Sequence, residues 1–377
     1  MIAFLLIIPT QVRIITQVFA VALLATPWIL LGQLKSGIQN SFTEIMAQAI
    51  AGDPKAQNEL GLIYARGKVV PKNETEAVKW LRKAADQGFA QAQYNIGNVY
   101  AGGLLGVPKN EAEAVKWARK AADQGFAPAQ YNIGNVYAGG LLGVPKDGAE
   151  AVKWYRRAAD QGNAKAQFSL ALLYDTEGRD LGVTQDLAEA VKWYRKAADQ
   201  GNADAQNNVA KAYEFGIGGL QKDPVEAVKW LRKAADQGLG YCQNALAVKY
   251  FKGVGVPKDE IEAIKWLRKA ADQGDPHAQR NLGKAYEVGA GGLQKDPVEA
   301  AKWLRRAEEN TPRAAASSNT GLREDGGFSS RYGSEARMND AVRQANRQLL
   351  QDQQAIGQGI GEGVDRGVDH FFPSSPK

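Results

Sequence analysis

Apolar and polar positions recur with a period of about 37 residues between residues 52 and 310. Self-similarity at a fixed period of about 20–50 residues is typical of solenoids, in which each repeat buries its apolar face against its neighbours. A tryptophan marks each copy; the seven are Trp80, Trp117, Trp154, Trp193, Trp230, Trp266 and Trp303. The pattern therefore predicts a solenoid of seven repeats.

The second half of each copy has the pattern of an amphipathic helix. Alanines flank the tryptophan at helical spacing, as Ala77 and Ala84 flank Trp80. This spacing creates one apolar face with a single large side chain, so it predicts that the seven tryptophans are core residues rather than a surface for stacking ligands. An Asn or Asp precedes each helix and a Glu follows three residues later, as Asp186 and Glu189 do. That spacing predicts a capping box, in which each of the two side chains accepts the other residue's backbone N–H.

The first half of each copy predicts another helix, with the pattern Ala-Gln-x-x-apolar-small-x-x-Tyr, as in residues 92–100. Its small position is Gly or Ala in every copy. Because a helical Gly costs about 1 kcal/mol relative to Ala, its recurrence predicts a neighbouring helix that packs too closely for a side chain. The Gln of the pattern is expected to bond the backbone of a neighbouring hairpin. Two helices per copy predict an all-α fold, an α/α superhelical solenoid of seven helical hairpins.

The repeat unit resembles the Sel1-like repeat (SLR), a relative of the tetratricopeptide repeat. The resemblance rests on residues 92–100, on the following Val-Pro-Lys and Glu-Ala-Val-Lys-Trp strings, and on Arg-Lys-Ala-Ala-Asp-Gln-Gly. It covers residues 52–310 and implies a right-handed superhelix that acts as a non-enzymatic adaptor for a protein or peptide partner. Members of this family are often bacterial envelope or secreted proteins, or components of eukaryotic quality-control complexes.

The resemblance to tetratricopeptide arrays also implies that the first helices line a concave groove. Its lining positions lie five before, two before and two after the apolar residue of the pattern. We expect an aromatic and amide-rich part that suits an extended peptide, followed by a basic part that suits an acidic segment. The predicted groove residues are Tyr94, Asn98, Tyr131, Asn135, Phe168, Lys211, Arg280 and Lys284. The alternative is that the three aromatic residues pack between repeats.

Composition favours binding over catalysis. The chain has 47 Lys and Arg against 41 Asp and Glu, a net charge of +6, and the charges are interleaved. They are interpreted as solvated helix faces, so no nucleic-acid partner is expected, although a nucleic-acid binder that uses the basic second helices stays an alternative. Two histidines and one cysteine argue against a metal site or a nucleophilic relay. No catalytic residues, cofactor or metal are expected; the enzymatic alternative is a hydrolase that acts on cell-envelope material.

The ends of the chain differ from the repeats. Residues 2–31 are almost entirely apolar, with Arg13 as the only charge. A stretch of this length suits a signal peptide or a short membrane anchor, so residues 1–34 predict export or membrane tethering, with the bacterial periplasm or envelope as the expected location. Residues 35–51 are expected to be a linker and the start of the first helix. Residues 311–377 are predicted to be a low-complexity, largely disordered tail with a candidate helix at 335–355.

Overall fold

Helical hairpins make up the described part of the chain, which in this computed structural model is residues 41–310. Fourteen α-helices in this part form seven hairpins: α1 Pro54–Arg66, α2 Glu74–Asp86, α3 Ala90–Gly102, α4 Glu111–Asp123, α5 Ala127–Gly139, α6 Gly148–Asp160, α7 Ala164–Leu172, α8 Leu187–Asp199, α9 Ala203–Phe215, α10 Pro224–Asp236, α11 Gly240–Lys252, α12 Glu260–Asp272, α13 Pro276–Val288 and α14 Pro297–Glu309. No strand occurs within residues 41–310. The prediction of an all-α solenoid of seven hairpins is confirmed.

A short helix at 41–50 precedes the first hairpin. This helix lies within residues 35–51, and α1 begins at Pro54, after the cap residue Asp53. Ala49 lies in the core with Leu60 and Trp80. The helix at 41–50 therefore covers the apolar side of the first hairpin. The predictions for residues 1–34 and 311–377, including the candidate helix at 335–355, lie outside the described residues.

The described residues divide into two compact units at the Ala121–Ala122 boundary. The first unit has a core that includes Leu81, Ile96 and Trp117. The second unit has a longer continuous core, in which alanines separate large residues such as Trp193 and Trp230. The seven repeat tryptophans are buried, with 8% or less of each exposed, except Trp303 in the last hairpin, which is half-buried.

In the first five hairpins, the indole N–H of the tryptophan is satisfied from within its own helix, whereas Trp266 Nε1 has no hydrogen-bond partner among the described residues. Trp193 Nε1 donates to the carboxylate of Glu189, one turn earlier, at 3.0 Å. The same bond occurs at Trp80, Trp117, Trp154 and Trp230. Lys196, three residues after Trp193, places its Nζ 3.9 Å from the ring centroid. A buried aromatic ring thus keeps its polar atom paired and one face covered by a cation.

The capping-box prediction is correct in one half and wrong in the other. The cap side chain accepts the N–H of the Glu, as Asp186 Oδ1 does from Glu189 N at 3.0 Å. The Glu carboxylate does not return to the cap, because it bonds Trp193 and the ammonium of Lys192, at 2.7 Å. The backbone N–H of Asp186 donates instead to the carbonyl of Tyr174 at 2.9 Å. This bond ties the start of each second helix to the end of its first helix.

The small position of the first helix lies against the second helix of the same hairpin, as its residue type predicted. A Cβ built on Gly61 would lie 2.8 Å from Leu81 Cγ, and one on Gly134 would lie 2.4 Å from the Tyr155 ring. Contacts this short do not occur between real side chains. The glycines are therefore explained by helix packing rather than by backbone flexibility.

The recurrent Gln bonds a neighbouring hairpin, which confirms the prediction. Gln206 Nε2 donates to the carbonyl of Ala198, in the last turn of α8, at 3.1 Å. Its Oε1 accepts from Gln237 at the end of α10, at 2.8 Å. Equivalent carbonyl bonds are made by Gln57, Gln93, Gln130, Gln167, Gln243 and Gln279. A buried amide thus joins second helices of successive hairpins, except that Gln57 bonds Ala49 of the helix at 41–50.

Acid should weaken the array through the recurrent Glu. A hydrogen bond from Lys192 lowers the pKa of Glu189 from its ordinary value of 4.5, and a Trp193 hydrogen bond adds to the effect. A carboxylate whose pKa is lowered by folding stabilises the folded state above its unfolded pKa, and this contribution is lost as the pH falls through the folded value. Glu189→Gln should therefore cost stability at pH 7 and much less at about pH 3. Urea unfolding at the two pH values measures the difference; equal losses would contradict it.

Candidate partner-binding surface

The first helices turn one side to the core and leave the neighbouring positions half-buried. The apolar residue of each first helix is fully buried, as are Ile133, Leu170 and Leu246. Residues two before and two after it are four positions apart, so they share a face with each other on the side of the helix away from the apolar residue. We call these positions, with those five before the apolar residue, the first-helix face.

The aromatic residues of the first-helix face in the second unit pack against tyrosines of the second helices. The Tyr131 ring lies 5.9 Å from the Tyr155 ring, at an interplanar angle of 33°. The Phe168 ring lies 5.8 Å from that of Tyr194, at 49°. Tyr131 and Phe168 nevertheless stay half-buried. Each ring therefore has one side held by the fold and part of its surface open to solvent.

Amide groups lie beside these rings. Asn135 Oδ1 accepts a hydrogen bond from the Tyr155 hydroxyl at 2.7 Å. Tyr155 thus contacts Tyr131 and Asn135 together, which brings two predicted groove residues into one cluster. Further along, Asn281 Nδ2 donates to Asn244 Oδ1 of the preceding hairpin at 2.9 Å. These bonds orient the amides of the first-helix face.

In the first unit, Tyr94 and Asn98 are half-buried on α3. The neighbouring Asn95 donates through Nδ2 to Asn58 Oδ1 on α1, at 2.9 Å. The first unit therefore carries the same combination of an aromatic ring and bonded amides on its first-helix face.

The basic residues lie further along the second unit. Arg280 and Lys284 are one helical turn apart on α13, with Arg280 half-buried and Lys284 exposed. His277 is exposed at the start of the same helix. Lys211 is half-buried on α9, two hairpins earlier. The structure thus groups Arg280, Lys284 and His277, and it places Lys211 apart from them.

Several contacts of this surface were not predicted from the sequence. The Tyr241 hydroxyl donates to Asp204 Oδ1 of the preceding hairpin at 2.5 Å, and Lys249 pairs with Glu214. The tyrosines Tyr155 and Tyr194, which hold the groove rings, stand where other hairpins have leucine or alanine. Tyrosine occupies this position only in the two hairpins that contain Tyr131 and Phe168. A comparison of the seven repeats with one another could therefore have predicted the ring contacts.

The described residues offer little for nucleophilic or metal chemistry. Cys242 is fully buried, and burial raises the pKa of its thiol to about 12, so it stays protonated at neutral pH. Within residues 41–310, no three His, Cys, Asp or Glu side chains group as metal ligands. No helix in this same range has the length and apolarity needed to cross a membrane.

A family model of the Sel1 repeat matches seven consecutive segments, residues 54–89, 90–126, 127–163, 164–202, 203–239, 240–275 and 276–311. The matches follow the seven hairpins and cover more than half of the chain. This chain belongs to the Sel1 repeat family. Sel1 repeat proteins are generally protein-interaction scaffolds and are typically non-enzymatic.

Two solved Sel1 repeat structures are similar to this one. The first is c5321, a protective antigen of uropathogenic Escherichia coli with an SLR fold; it is 37% identical, with a TM-score of 0.66 over 71% of this chain and 56% of the antigen. The second, a Sel1 repeat protein from Oxalobacter formigenes, is 35% identical, with a TM-score of 0.58 over 75% of this chain and 80% of its own. This chain spans little more than half of the antigen. No curated protein matches the chain.

Proposed function

We propose that this Sel1 repeat protein is a non-enzymatic scaffold whose first-helix face binds an extended segment of a partner protein. The observation that carries the proposal is the pair of half-buried rings, Tyr131 and Phe168, each held against a tyrosine of a second helix. Aromatic side chains contribute most of the binding energy in many interfaces. Rings that the fold already holds lose little conformational freedom on binding.

The charge of the first-helix face indicates the polarity of the partner segment. Arg280, Lys284 and His277 lie on one helix, whereas the ring-bearing helices α5 and α7 carry amides such as Asn135. We infer that the segment has apolar side chains towards the rings and acidic side chains towards α13. The apolar sequence of residues 1–34 supports export or membrane tethering, so we place the partner in a bacterial envelope.

Loss of the two rings should remove binding without unfolding the protein. Tyr131→Ala/Phe168→Ala is expected to weaken binding at least tenfold, since interface aromatics cost about 2 kcal/mol or more when truncated. The probe is a set of linear peptides selected from a random library against the wild-type chain, titrated by fluorescence anisotropy. Thermal unfolding reports whether the variant keeps its fold.

The matched control is Ile50→Ala, which removes an exposed apolar side chain, 66% accessible, from the helix at 41–50 rather than from the first-helix face. It should bind the selected peptides like the wild type. Equal affinity of the folded double variant and the wild type would overturn the proposal. Equal weakening by the control would place the binding surface elsewhere.

A further inference from the structure

Exposed apolar side chains are concentrated at one edge of hairpins four to seven. These residues lie at the end of a first helix, in the following loop or at the start of a second helix; they are Leu187, Phe215, Val225, Val254, Ile261, Val288 and Val298. We call this set the loop edge. The exposed fraction reaches 73% at Val288 and 77% at Val298, in the last hairpin.

The two ends of each hairpin contribute to the same edge. Within a hairpin, the cap of the second helix donates its N–H to the tyrosine near the end of the first, as Asp223 N does to Tyr213 O at 2.8 Å. Phe215 follows that tyrosine by two residues and Val225 follows that cap by two residues. The exposed side chains of one hairpin are therefore neighbours.

The loop edge is also continuous from hairpin to hairpin. A Cβ on Gly255, in the loop of hairpin six, would lie 2.0 Å from the carbonyl oxygen of Pro224, at the start of α10. A Cβ on Gly291 would lie 2.5 Å from the carbonyl oxygen of Glu260, at the start of α12. Each loop thus rests on the start of the preceding second helix, so the exposed apolar residues form one strip.

The exposed apolar residues are specific to the later hairpins and do not belong to the sequence that all seven repeats share. Two residues after the cap, hairpins five to seven have Val225, Ile261 and Val298, whereas the earlier hairpins have Thr75, Ala112, Ala149 and Ala188. The sequence Gly-Gly-Leu-Gln-Lys-Asp-Pro-Val-Glu-Ala occurs identically at 218–227 and 291–300. Contiguous exposed apolar surface in a soluble array usually marks a binding site.

Two lysines on the loop edge lack the carboxylate that pairs with their equivalents. Lys258 pairs with Glu260 at 2.7 Å, and Lys72 and Lys109 pair with a Glu in the same way. Hairpins five and seven have Pro224 and Pro297 in place of that Glu. Within residues 41–310, no carboxylate forms an ion pair with Lys222 or Lys295. The ligand of the loop edge should therefore combine apolar and acidic side chains.

We propose that the occupant is a segment of the chain's own tail, residues 356–372. Its apolar residues recur every fourth position, as Ile356, Ile360, Val364, Val368 and Phe372. This spacing places them on one face of an extended or a helical segment. Acidic residues stand among them as Glu362, Asp365 and Asp369, with Arg366 as the only Lys or Arg and His370 as the only histidine. The segment thus matches both the apolar side chains and the lysines of the loop edge.

The place where the array ends supports this occupant. The last hairpin ends with α14 at Glu309, and it also carries Val288 and Val298, the most exposed residues of the edge. Residues 311–355 form the connection, and a random-coil segment of 45 residues would span roughly 35–40 Å. That length lets the tail segment return to the last hairpins. The proposal is independent of partner binding on the first-helix face.

Proteolysis of the full chain tests the proposal. Val225→Asp/Val298→Asp places like charges opposite the acidic segment, and it alters only exposed side chains. Trypsin cleavage after Arg366, followed by mass spectrometry, should be at least tenfold faster in this variant than in the wild type. The comparison uses one peptide bond, so the sequence preference of the protease cancels. Val69→Asp, at another exposed valine in the first unit, should leave the rate unchanged.

Hydrogen exchange of residues 356–372 gives a second measurement, with protection expected in the wild type and lost in the double variant. Equal cleavage and equal exchange in the two proteins would overturn the proposal. Protection that grows with protein concentration would assign the loop edge to a second copy and overturn the intramolecular assignment. Protection that appears only with anionic lipid vesicles would assign it to a membrane surface and also overturn it.

Discussion

Replacing Trp193 by alanine is expected to lower the free energy of unfolding by about 3–5 kcal/mol. The side chain is 2% exposed, its Nε1 donates to Glu189 at 3.0 Å, and Lys196 covers its ring. Alanines surround it in the same core, and their short side chains cannot extend into the cavity that the substitution leaves. Urea unfolding followed by circular dichroism measures the loss.

Trp303→Ala is the matched control for this prediction. Trp303 occupies the same repeat position and has Arg306 4.8 Å from its ring centroid, but it lies half-buried in the last hairpin. Because less apolar surface is removed from the core, the expected loss is about 1–2 kcal/mol. If both substitutions cost the same, the burial of the tryptophan is not what stabilises the array.

Replacing Gly255 by alanine is expected to lower the free energy of unfolding by about 2–5 kcal/mol. The residue has φ +75°, where a side chain costs about 1–2 kcal/mol. In addition, the new Cβ would lie 2.0 Å from the Pro224 carbonyl oxygen and 3.0 Å from Val228 Cγ2. The carbonyl belongs to a helix and cannot move without its hairpin, so overpacking adds about 1–3 kcal/mol.

Gly219→Ala separates the two causes. Gly219 has φ +82° but no neighbour within 4 Å of its Cβ position, so only the backbone term of about 1–2 kcal/mol applies. The difference between the two variants in urea unfolding measures the contact between the hairpin-six loop and α10. Equal losses would show that this contact contributes nothing to the coupling of hairpins five and six.

Sequence periodicity predicted the elements that depend on local or nearest-neighbour physics. The glycine at 134 indicated a close helix contact, and the structure places the Tyr155 ring there. The repeated Gln indicated a bond to a neighbouring hairpin, and Gln206 makes that bond with Ala198. These inferences were possible because the chain contains seven copies of the repeat. A residue type that recurs at the same position in all seven copies does not occur there by chance.

Other contacts join segments of the chain whose proximity cannot be predicted from the repeat pattern. Hairpins two and three are nearly identical in sequence, but Gly148 replaces the equivalent Glu111. The reason is the longer loop of hairpin four, since a Cβ on Gly148 would lie 2.4 Å from the Leu181 carbonyl oxygen. The Arg195 guanidinium, which bonds the Tyr213 hydroxyl at 2.8 Å, joins two hairpins through side chains whose meeting depends on helix packing.

For the candidate site, the sequence indicated which side chains the first helices present, since position on a helix follows from spacing alone. The tertiary structure decided how those side chains are held: Tyr155 supports the Tyr131 ring and bonds Asn135.

The number of repeats, the two helices of each repeat, the N-cap residues and the close contacts inside each hairpin are predictable from the sequence, because they depend on local hydrogen bonding and side-chain size. Which surfaces stay exposed follows from the packing of segments that are distant in sequence. The cap N–H of each second helix bonds the end of its first helix, and each loop rests on the preceding hairpin. These contacts bring Val225, Ile261 and Val298 together in one exposed strip. The exposure of a side chain depends on which segments of the chain pack against it.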